Sequence, residues 1–192
     1  MTKDKKIFSI IISGVGGQGS ITLTKIIAEA AMIEGYDVRT SELHGLSQRG
    51  GSVQTHIRFG DKVYSPLILS AEADLILGLE ISETLRNAHF TNPKTNVLAN
   101  EYQLFYLGSL KADQIVKRLK SLFKERLYLV PASEICEKEL KKEVVSGIYL
   151  LSFALSKKLI SLKPESVLKA ISKVIPKKYL ELNKKAFELA KK

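Results

Sequence analysis

The feature that most constrains the fold is a glycine cluster between a strand-like and a helix-like segment. Residues 7–13 form an apolar, β-branched run of strand length, and Gly-Val-Gly-Gly-Gln-Gly follows at positions 14–19. Residues 21–34 then show helical spacing with an apolar stripe along one face. A second strand is predicted at 36–40. Strand, glycine loop, helix and strand thus follow one another within about 35 residues, the span of a βαβ unit.

The rest of the chain continues this alternation and ends in helices. The pattern predicts a hairpin of strands 52–59 and 62–65, turned by Gly60-Asp61. Further strands are predicted at 73–79, with Glu80 at its end, and at 96–99 and 127–130, and helices at 82–88 and 113–124. From residue 134 onward the pattern is helical, broken by Pro164 and Pro176. We therefore expect one domain over residues 1–192, an α/β fold with a Rossmann-like open sheet, an inserted antiparallel hairpin and a helical C-terminal segment.

The glycine loop is the first candidate binding site. Gly14, Gly16, Gly17 and Gly19 allow the backbone to turn tightly and to approach a ligand, and the start of the helix points N–H groups towards an anion. A nicotinamide dinucleotide site would place an acidic residue at the end of the second strand, where positions 39–41 are Arg-Thr-Ser. The alternative is a tight strand-to-helix turn without a ligand.

The second candidate is the loop predicted over residues 42–52, at the carboxyl edge of the sheet. Its residues Gln48, Arg49, Gly50 and Gly51 suit recognition of a phosphate or carboxylate by a guanidinium backed by backbone amides. The flanking residues predicted to support the loop or an interface are Glu42, His44 and Ser52. In the alternative, Arg49 pairs with Glu42 only to hold the loop. No catalytic residue and no metal-ligand spacing can be assigned from this sequence.

Composition excludes several other classes of protein. Cys136 is the only cysteine, so this chain alone cannot supply a disulfide framework or the thiolates of an iron–sulfur cluster. The net charge of +10 is concentrated in residues 157–192, where eleven lysines stand against three glutamates among apolar residues. Amphipathic helices with a solvated lysine face explain that pattern, and docking of an acidic partner is the alternative. We expect no nucleic-acid ligand, no membrane span and a cytoplasmic location.

The two loops together resemble the gamma-type component of the 2-oxoacid:ferredoxin oxidoreductases and, more narrowly, the small (beta) subunits of indolepyruvate ferredoxin oxidoreductases. The resemblance extends over nearly the whole chain. Its most specific part is Gln48-Arg49-Gly50-Gly51. The other segments that carry it are residues 14–19, 41–53, 64–68, 73–80 and 183–187.

This resemblance implies a non-redox subunit of a thiamine-dependent complex that converts an aryl 2-oxoacid to an acyl-CoA and CO₂ and passes electrons to ferredoxin. Thiamine diphosphate, Mg and the iron–sulfur clusters are then expected on a large partner subunit. The glycine loop and the second loop would face that subunit and contact the phosphates of CoA. The residues alone leave two other hypotheses open: a stand-alone NAD(P)-dependent oxidoreductase and a non-catalytic nucleotide-binding regulator.

Overall fold

The computed structural model describes residues 7–45, 50–106 and 108–191. Its strands are β1 (Phe8–Val15), β2 (Asp37–His44), β3 (Ser52–Gly60), β4 (Leu75–Gly78), β5 (Asn96–Asn100) and β6 (Leu127–Val130). Its helices are α1 (Ser20–Ile33), α2 (Ile81–Arg86), α3 (Ala112–Phe123), α4 (Ala132–Leu140), α5 (Ser146–Ser156), α6 (Pro164–Val174) and α7 (Lys177–Leu189). Short 3₁₀ turns follow α2 and α3, and a third precedes α5.

The strands form one mixed sheet in the order β2-β3-β1-β4-β5-β6. Strands β1, β4, β5 and β6 pair in parallel, and β3 is antiparallel to both β1 and β2. The predicted α/β fold, with an open sheet, an antiparallel hairpin and C-terminal helices, is confirmed. The parallel strands all end at one edge of the sheet, which therefore carries the glycine loop and the ends of β4, β5 and β6.

The hairpin differs from its prediction. Its two strands are β2 and β3, and residues 62–65 form no strand. The reason is that β3 already has a hydrogen-bonded neighbour on each side, so a third strand has no free backbone edge to pair with. Side chains hold this part of the chain instead: the N–H of Val63 donates to Asp37 (2.9 Å), and just after the segment the N–H of Ile68 donates to His56 Nδ1 (3.0 Å). The predicted βαβ unit is also modified, because β3 separates β1 from β2.

Helices cover both faces of the sheet. On one face, Ile10 and Ile12 of β1 belong to the larger apolar cluster, together with the buried sides of α1, α5, α6 and α7. On the other face, Ile11 packs in a smaller cluster with residues of α3. The alternation follows from strand geometry, which sends successive side chains to opposite faces.

The C-terminal helices are amphipathic, as their lysine spacing predicts. Pro164 is the first residue of α6 and Pro176 is the N-cap of α7, positions at which the missing proline N–H costs no hydrogen bond. Lys173 of α6 pairs with Glu29 of α1 at 2.6 Å. None of the helices in the described part of the chain is long and apolar enough to cross a membrane.

Candidate functional site

The glycine loop connects β1 to α1 through two residues with left-handed backbone. Gly17 has φ of 101° and Gly19, the N-cap of α1, has φ of 80°, a region that residues with a Cβ rarely adopt. No side chain among the described residues caps this helix, and its first turn contains no acidic residue. The start of α1 therefore presents backbone N–H groups and the positive end of the helix dipole.

Gln18 holds the loop in place. Its Oε1 accepts from the N–H of Val15 (2.9 Å) and its Nε2 donates to the carbonyl of Leu79 (3.1 Å), beyond the end of β4. A Cβ built on Gly14 would lie 2.7 Å from Oε1 of Gln18 and 3.0 Å from Cβ of Leu79. Gly14 therefore makes room for the Gln18 side chain. Sequence reasoning missed this role of Gln18, although the residue stands inside the motif.

The second loop meets the first through the backbone. The N–H of Gly16 donates to the carbonyl of Gly51 (2.9 Å), and the N–H of Gly45 donates to the carbonyl of Ser52 (2.9 Å). Position 50 has a φ of 67°, in the left-handed region that favours glycine, like positions 17 and 19 of the first loop. The structure thus brings Gly16, Gly50 and Gly51 together at one edge of the sheet. Gln48 and Arg49 lie outside the described residues, and so does the alternative pairing of Arg49 with Glu42.

Glu42 and His44 lie in β2 and not in a loop, because the hairpin pairing continues as far as His44 opposite Val53. They are two residues apart on one face of the strand, and His44 Nε2 lies 3.4 Å from a Glu42 carboxylate oxygen. About half of the His44 side chain is exposed to solvent. Residues 42–44 and Ser52 of the predicted loop therefore belong to strands β2 and β3.

A buried carboxylate anchors the other end of this loop. The hydroxyl of Ser52 donates to Glu83 of α2 at 2.5 Å, and Nε of Arg86 lies 3.2 Å from the second oxygen of Glu83. The Glu83 side chain is only 6% exposed, and its two oxygens are paired with the Arg86 guanidinium and the Ser52 hydroxyl, as a buried carboxylate requires. Sequence reasoning placed Ser52 as support for the loop but missed Glu83, whose partner lies 31 residues earlier in the chain.

Glu80 is a second buried carboxylate at this edge. It is the N-cap of α2, and its Oε2 accepts from the N–H of Glu83 at 2.7 Å. Burial raises the pKa of the Glu80 carboxyl above its ordinary value, and the N–H of Glu83 opposes that shift. The neighbouring Glu83 carboxylate raises this pKa further.

Glu80→Gln should raise the thermal midpoint near pH 7 more than near pH 4. Because the folded pKa is raised, the unfolded chain gives up this proton first. The stability that protonated Glu80 contributes is therefore present below the unfolded pKa of about 4.5 and is lost as pH rises through the folded pKa. The glutamine keeps an oxygen to cap α2 and carries no charge. Thermal unfolding at the two pH values measures the difference, with Glu101→Gln at an exposed position as the control. Equal midpoints for wild type and Glu80→Gln at both pH values would contradict this account.

The described residues do not hold the ligand set of a metal centre. Among them there is no group of three or more His, Cys, Asp or Glu that could hold an ion. The thiol of Cys136 is buried in α4, and burial raises its pKa to about 11, so it stays protonated at neutral pH. At this edge of the sheet the described residues thus offer backbone amides to a ligand, while the buried carboxylates of Glu80 and Glu83 hold α2 and the second loop in place.

Comparison with known proteins gives consistent matches along the whole chain. The family model described as pyruvate ferredoxin/flavodoxin oxidoreductase matches residues 9–192. The chain is 38% identical to the indolepyruvate oxidoreductase subunit IorB of Archaeoglobus fulgidus, over 94% of this chain and 92% of that protein. It is 31% identical to the subunit of the same name from Pyrococcus horikoshii, over 97% and 96% of the two chains.

Solved structures share the fold at lower identity. The pyruvate oxidoreductase subunit PORC of Thermotoga maritima superposes with a TM-score of 0.71 at 18% identity, over 98% of this chain and 96% of that one. A 2-oxoglutarate:ferredoxin oxidoreductase of Magnetococcus marinus, solved with 2-oxoglutarate, coenzyme A and succinyl-CoA bound, gives a TM-score of 0.72 at 20% identity. The match covers 98% of this chain but 31% of that longer one.

Proposed function

The chain belongs to the pyruvate ferredoxin/flavodoxin oxidoreductase family, and from that premise we propose that it is the small, non-redox subunit of an indolepyruvate-type 2-oxoacid:ferredoxin oxidoreductase. The complex would oxidatively decarboxylate an aryl 2-oxoacid, transfer the acyl group to CoA and pass the electrons to ferredoxin. The proposal rests mainly on the similarity to the indolepyruvate oxidoreductase subunits of Archaeoglobus fulgidus and Pyrococcus horikoshii, which extends over nearly the full length of this chain and of each relative.

The donor atoms of this chain support placing the redox cofactors on a partner subunit. An iron–sulfur cluster needs about four thiolates, and the sequence contains one cysteine. That cysteine is buried and protonated, so it is unsuited to ligate iron. The described residues likewise offer no carboxylate cluster for a divalent cation. We therefore assign thiamine diphosphate, Mg and the clusters to a large partner subunit, whose bound cofactors supply the decarboxylation and electron transfer.

The contribution of this chain is binding and orientation. Gly17, Gly19, Gly50 and Gly51 lie at the carboxyl edge of the sheet, where open α/β folds bind ligands with backbone amides, and the N–H of Gly16 joins the two loops by donating to Gly51. Ser52 and the buried Glu83 fix the end of the second loop. In our proposal this edge faces the large subunit near the entrance of its active site, and the amides together with Arg49 hold the phosphates of CoA.

Arg49→Ala tests the assignment of the second loop. Loss of a charge-assisted hydrogen bond to phosphate should raise the KM for CoA in the assembled complex by roughly tenfold or more, or weaken the complex if the side chain faces the partner. Steady-state kinetics with varied CoA and native mass spectrometry measure the two effects. Arg39→Ala is the matched control, since that arginine pairs with Asp37 at the start of β2, away from this edge. Unchanged turnover together with an unchanged complex mass would refute the assignment.

The partner itself is tested by an anaerobic pull-down of the tagged chain with mass spectrometry of the co-eluting proteins. We expect a large, cysteine-rich, thiamine-binding chain in equal amount. Elution of the chain alone would refute the proposed subunit role, and titration with NADH or NADPH would then test the stand-alone oxidoreductase hypothesis.

A further inference from the structure

The stretch between β5 and α3, residues 102–110, contains no charged residue and is called the apolar loop below. Its sequence, Tyr-Gln-Leu-Phe-Tyr-Leu-Gly-Ser-Leu, has six large apolar or aromatic residues out of nine, although 26% of the whole chain is charged. Phe105 is 69% exposed and Tyr106 is 51% exposed, and Leu104 and Leu110 are exposed as well. Exposed apolar side chains that lie together, and not scattered singly, are typical of a surface that another molecule covers.

Hydrogen bonds hold the described part of the apolar loop to itself and to α2. Nε2 of Gln103 donates to the carbonyl of Leu110 (2.7 Å), which closes the loop. At its start, the carbonyl of Tyr102 accepts from the N–H of Ile81, the first residue of α2 (3.0 Å). Because the backbone is already held, docking through this loop costs less conformational entropy than ordering a free segment would.

The apolar loop lies beside the second loop at the carboxyl edge of the sheet. A Cβ added to Gly50 would lie 3.6 Å from Cδ2 of Leu104, which is van der Waals contact. The hydroxyl of Tyr106 accepts from Nη2 of Arg86 (3.5 Å), and Nε of the same arginine pairs with Glu83 (3.2 Å). Since Glu83 also holds the end of the second loop, both loops are fixed to α2.

A second group of exposed apolar side chains, Tyr64, Leu67 and Leu69, lies elsewhere on the molecule. The carbonyl of Leu67 accepts from the guanidinium of Arg58 in β3 (3.2 Å), and Arg58 lies opposite Ser9 near the start of β1. This group therefore lies towards the amino ends of the parallel strands, away from the two loops. It offers a control surface of similar chemistry.

We propose that the apolar loop anchors this chain to the large subunit, with Phe105 and Tyr106 buried in the complex. The identity of the partner rests on the proposed function, whereas the choice of surface rests on the loop itself. Aromatic residues and arginine, here Arg86 beside Tyr106, dominate the binding energy of protein interfaces. A loop without charge fits an apolar pocket of a protein, and it does not fit a nucleic acid or the phosphates of CoA.

A second copy of this chain fits the apolar loop less well than the large subunit does. Because Leu104 lies beside Gly50, two copies that met through their apolar loops would bring their second loops together and obstruct that edge for ligands. The large subunit covers the apolar loop and, in the proposed function, supplies the cofactors whose ligands this chain lacks.

The affinity of the full chain for the large subunit recovered in the anaerobic pull-down tests this inference. We expect Phe105→Ala to raise the Kd by roughly tenfold or more, as truncation of an interface anchor does. Phe105→Glu should raise it by roughly a hundredfold or more, because it places an unpaired charge in an apolar contact. Both variants should keep the thermal midpoint of the wild type, since Phe105 is exposed in the free chain.

Tyr64→Ala is the matched control, because Tyr64 is also an exposed aromatic residue but lies away from both loops. We expect its Kd to equal that of the wild type. Native mass spectrometry of the isolated chain and steady-state kinetics with varied CoA complete the experiment, with a monomer and an unchanged KM for CoA as the expected results for assembled Phe105→Ala.

A wild-type Kd for both Phe105 variants would overturn the inference, and so would an equal loss of affinity in Tyr64→Ala. A wild-type homodimer that Phe105→Glu separates would make the apolar loop a self-association surface instead. An unchanged Kd with a raised KM for CoA would make it part of the CoA site. Elution of the wild-type chain alone in the pull-down would refute the subunit role and this inference with it, whereas normal binding of the variants would refute only the choice of surface.

Discussion

Gly78→Ala should destabilise the chain by about 3 kcal/mol or more, because overpacking a rigid core forces backbone or rotamer strain. Gly78 ends β4 and pairs with Ser13 of β1 and with Ala99 of β5. An added Cβ would overlap Oγ1 of Thr84 and lie 3.0 Å from its Cβ. Thr84 is fully buried and its hydroxyl donates to the carbonyl of Glu80 at 2.7 Å, so it cannot turn away without losing that bond.

Urea denaturation of the purified chain measures the loss. Gly45→Ala is the matched control, because a Cβ there would make an ordinary contact of 3.5 Å with the carbonyl of Ser52. Adding Thr84→Ala to Gly78→Ala removes the overlapping oxygen and should restore part of the lost stability. A Gly78→Ala protein with the wild-type denaturation midpoint would show that the contact between β4 and α2 is not the tight one described here.

Phe187→Ala should cost about 3–5 kcal/mol, the usual cost of truncating a buried phenylalanine to alanine. Phe187 is fully buried on α7, and its carbonyl accepts from the hydroxyl of Ser152 in α5 at 2.6 Å. The ring is buried in the larger apolar cluster, so its packing, separately from the backbone hydrogen bond, holds α7 against the rest of the fold.

Two further variants, Phe187→Leu and Phe105→Ala, serve as an intermediate substitution and as an exposed control. The leucine refills most of the space and should cost about 1–2 kcal/mol. Phe105 is 69% exposed, so its truncation should change the free energy of unfolding by less than about 0.5 kcal/mol. Equal losses for Phe187→Ala and Phe105→Ala would contradict the packing of α7.

The sequence predicts most elements correctly where one local signal decides them. Strands and helix starts are predicted to within a few residues by three kinds of signal: the glycine motif, the apolar runs of β4, β5 and β6, and the two prolines. The predicted second strand of the hairpin, residues 62–65, is wrong because of pairing between distant parts of the chain. Residues 62–65 follow a good turn signal, but whether they pair depends on which edges of β3 are free. Strand β1, whose residues precede their β3 partners by 37 to 51 positions, fills one of those edges.

In the candidate site, too, residues within a local motif were predictable, whereas the distant residues that support them were not. Local patterns identify Gly16, Gly17 and Gly19, whose backbone conformations belong to the motif itself. The groups that support them come from elsewhere in the chain: Leu79 receives the Gln18 amide and Glu83 receives the Ser52 hydroxyl. A cavity lined by residues of α1, α5 and α7 cannot be predicted from motifs, since it depends on how three helices separated in sequence meet on one face of the sheet.

The position of β3 between β1 and β2 sets an order of assembly during synthesis. When a ribosome has released the chain only as far as residue 45, β1, α1 and β2 are present, yet β1 and β2 are not neighbours in the sheet. The hairpin of β2 and β3 is local and forms within microseconds once residue 60 has emerged. Strand β3 of this hairpin pairs with β1 in the folded sheet. Nascent chains that stall before residue 60 should consequently expose the apolar face of β1 to chaperones.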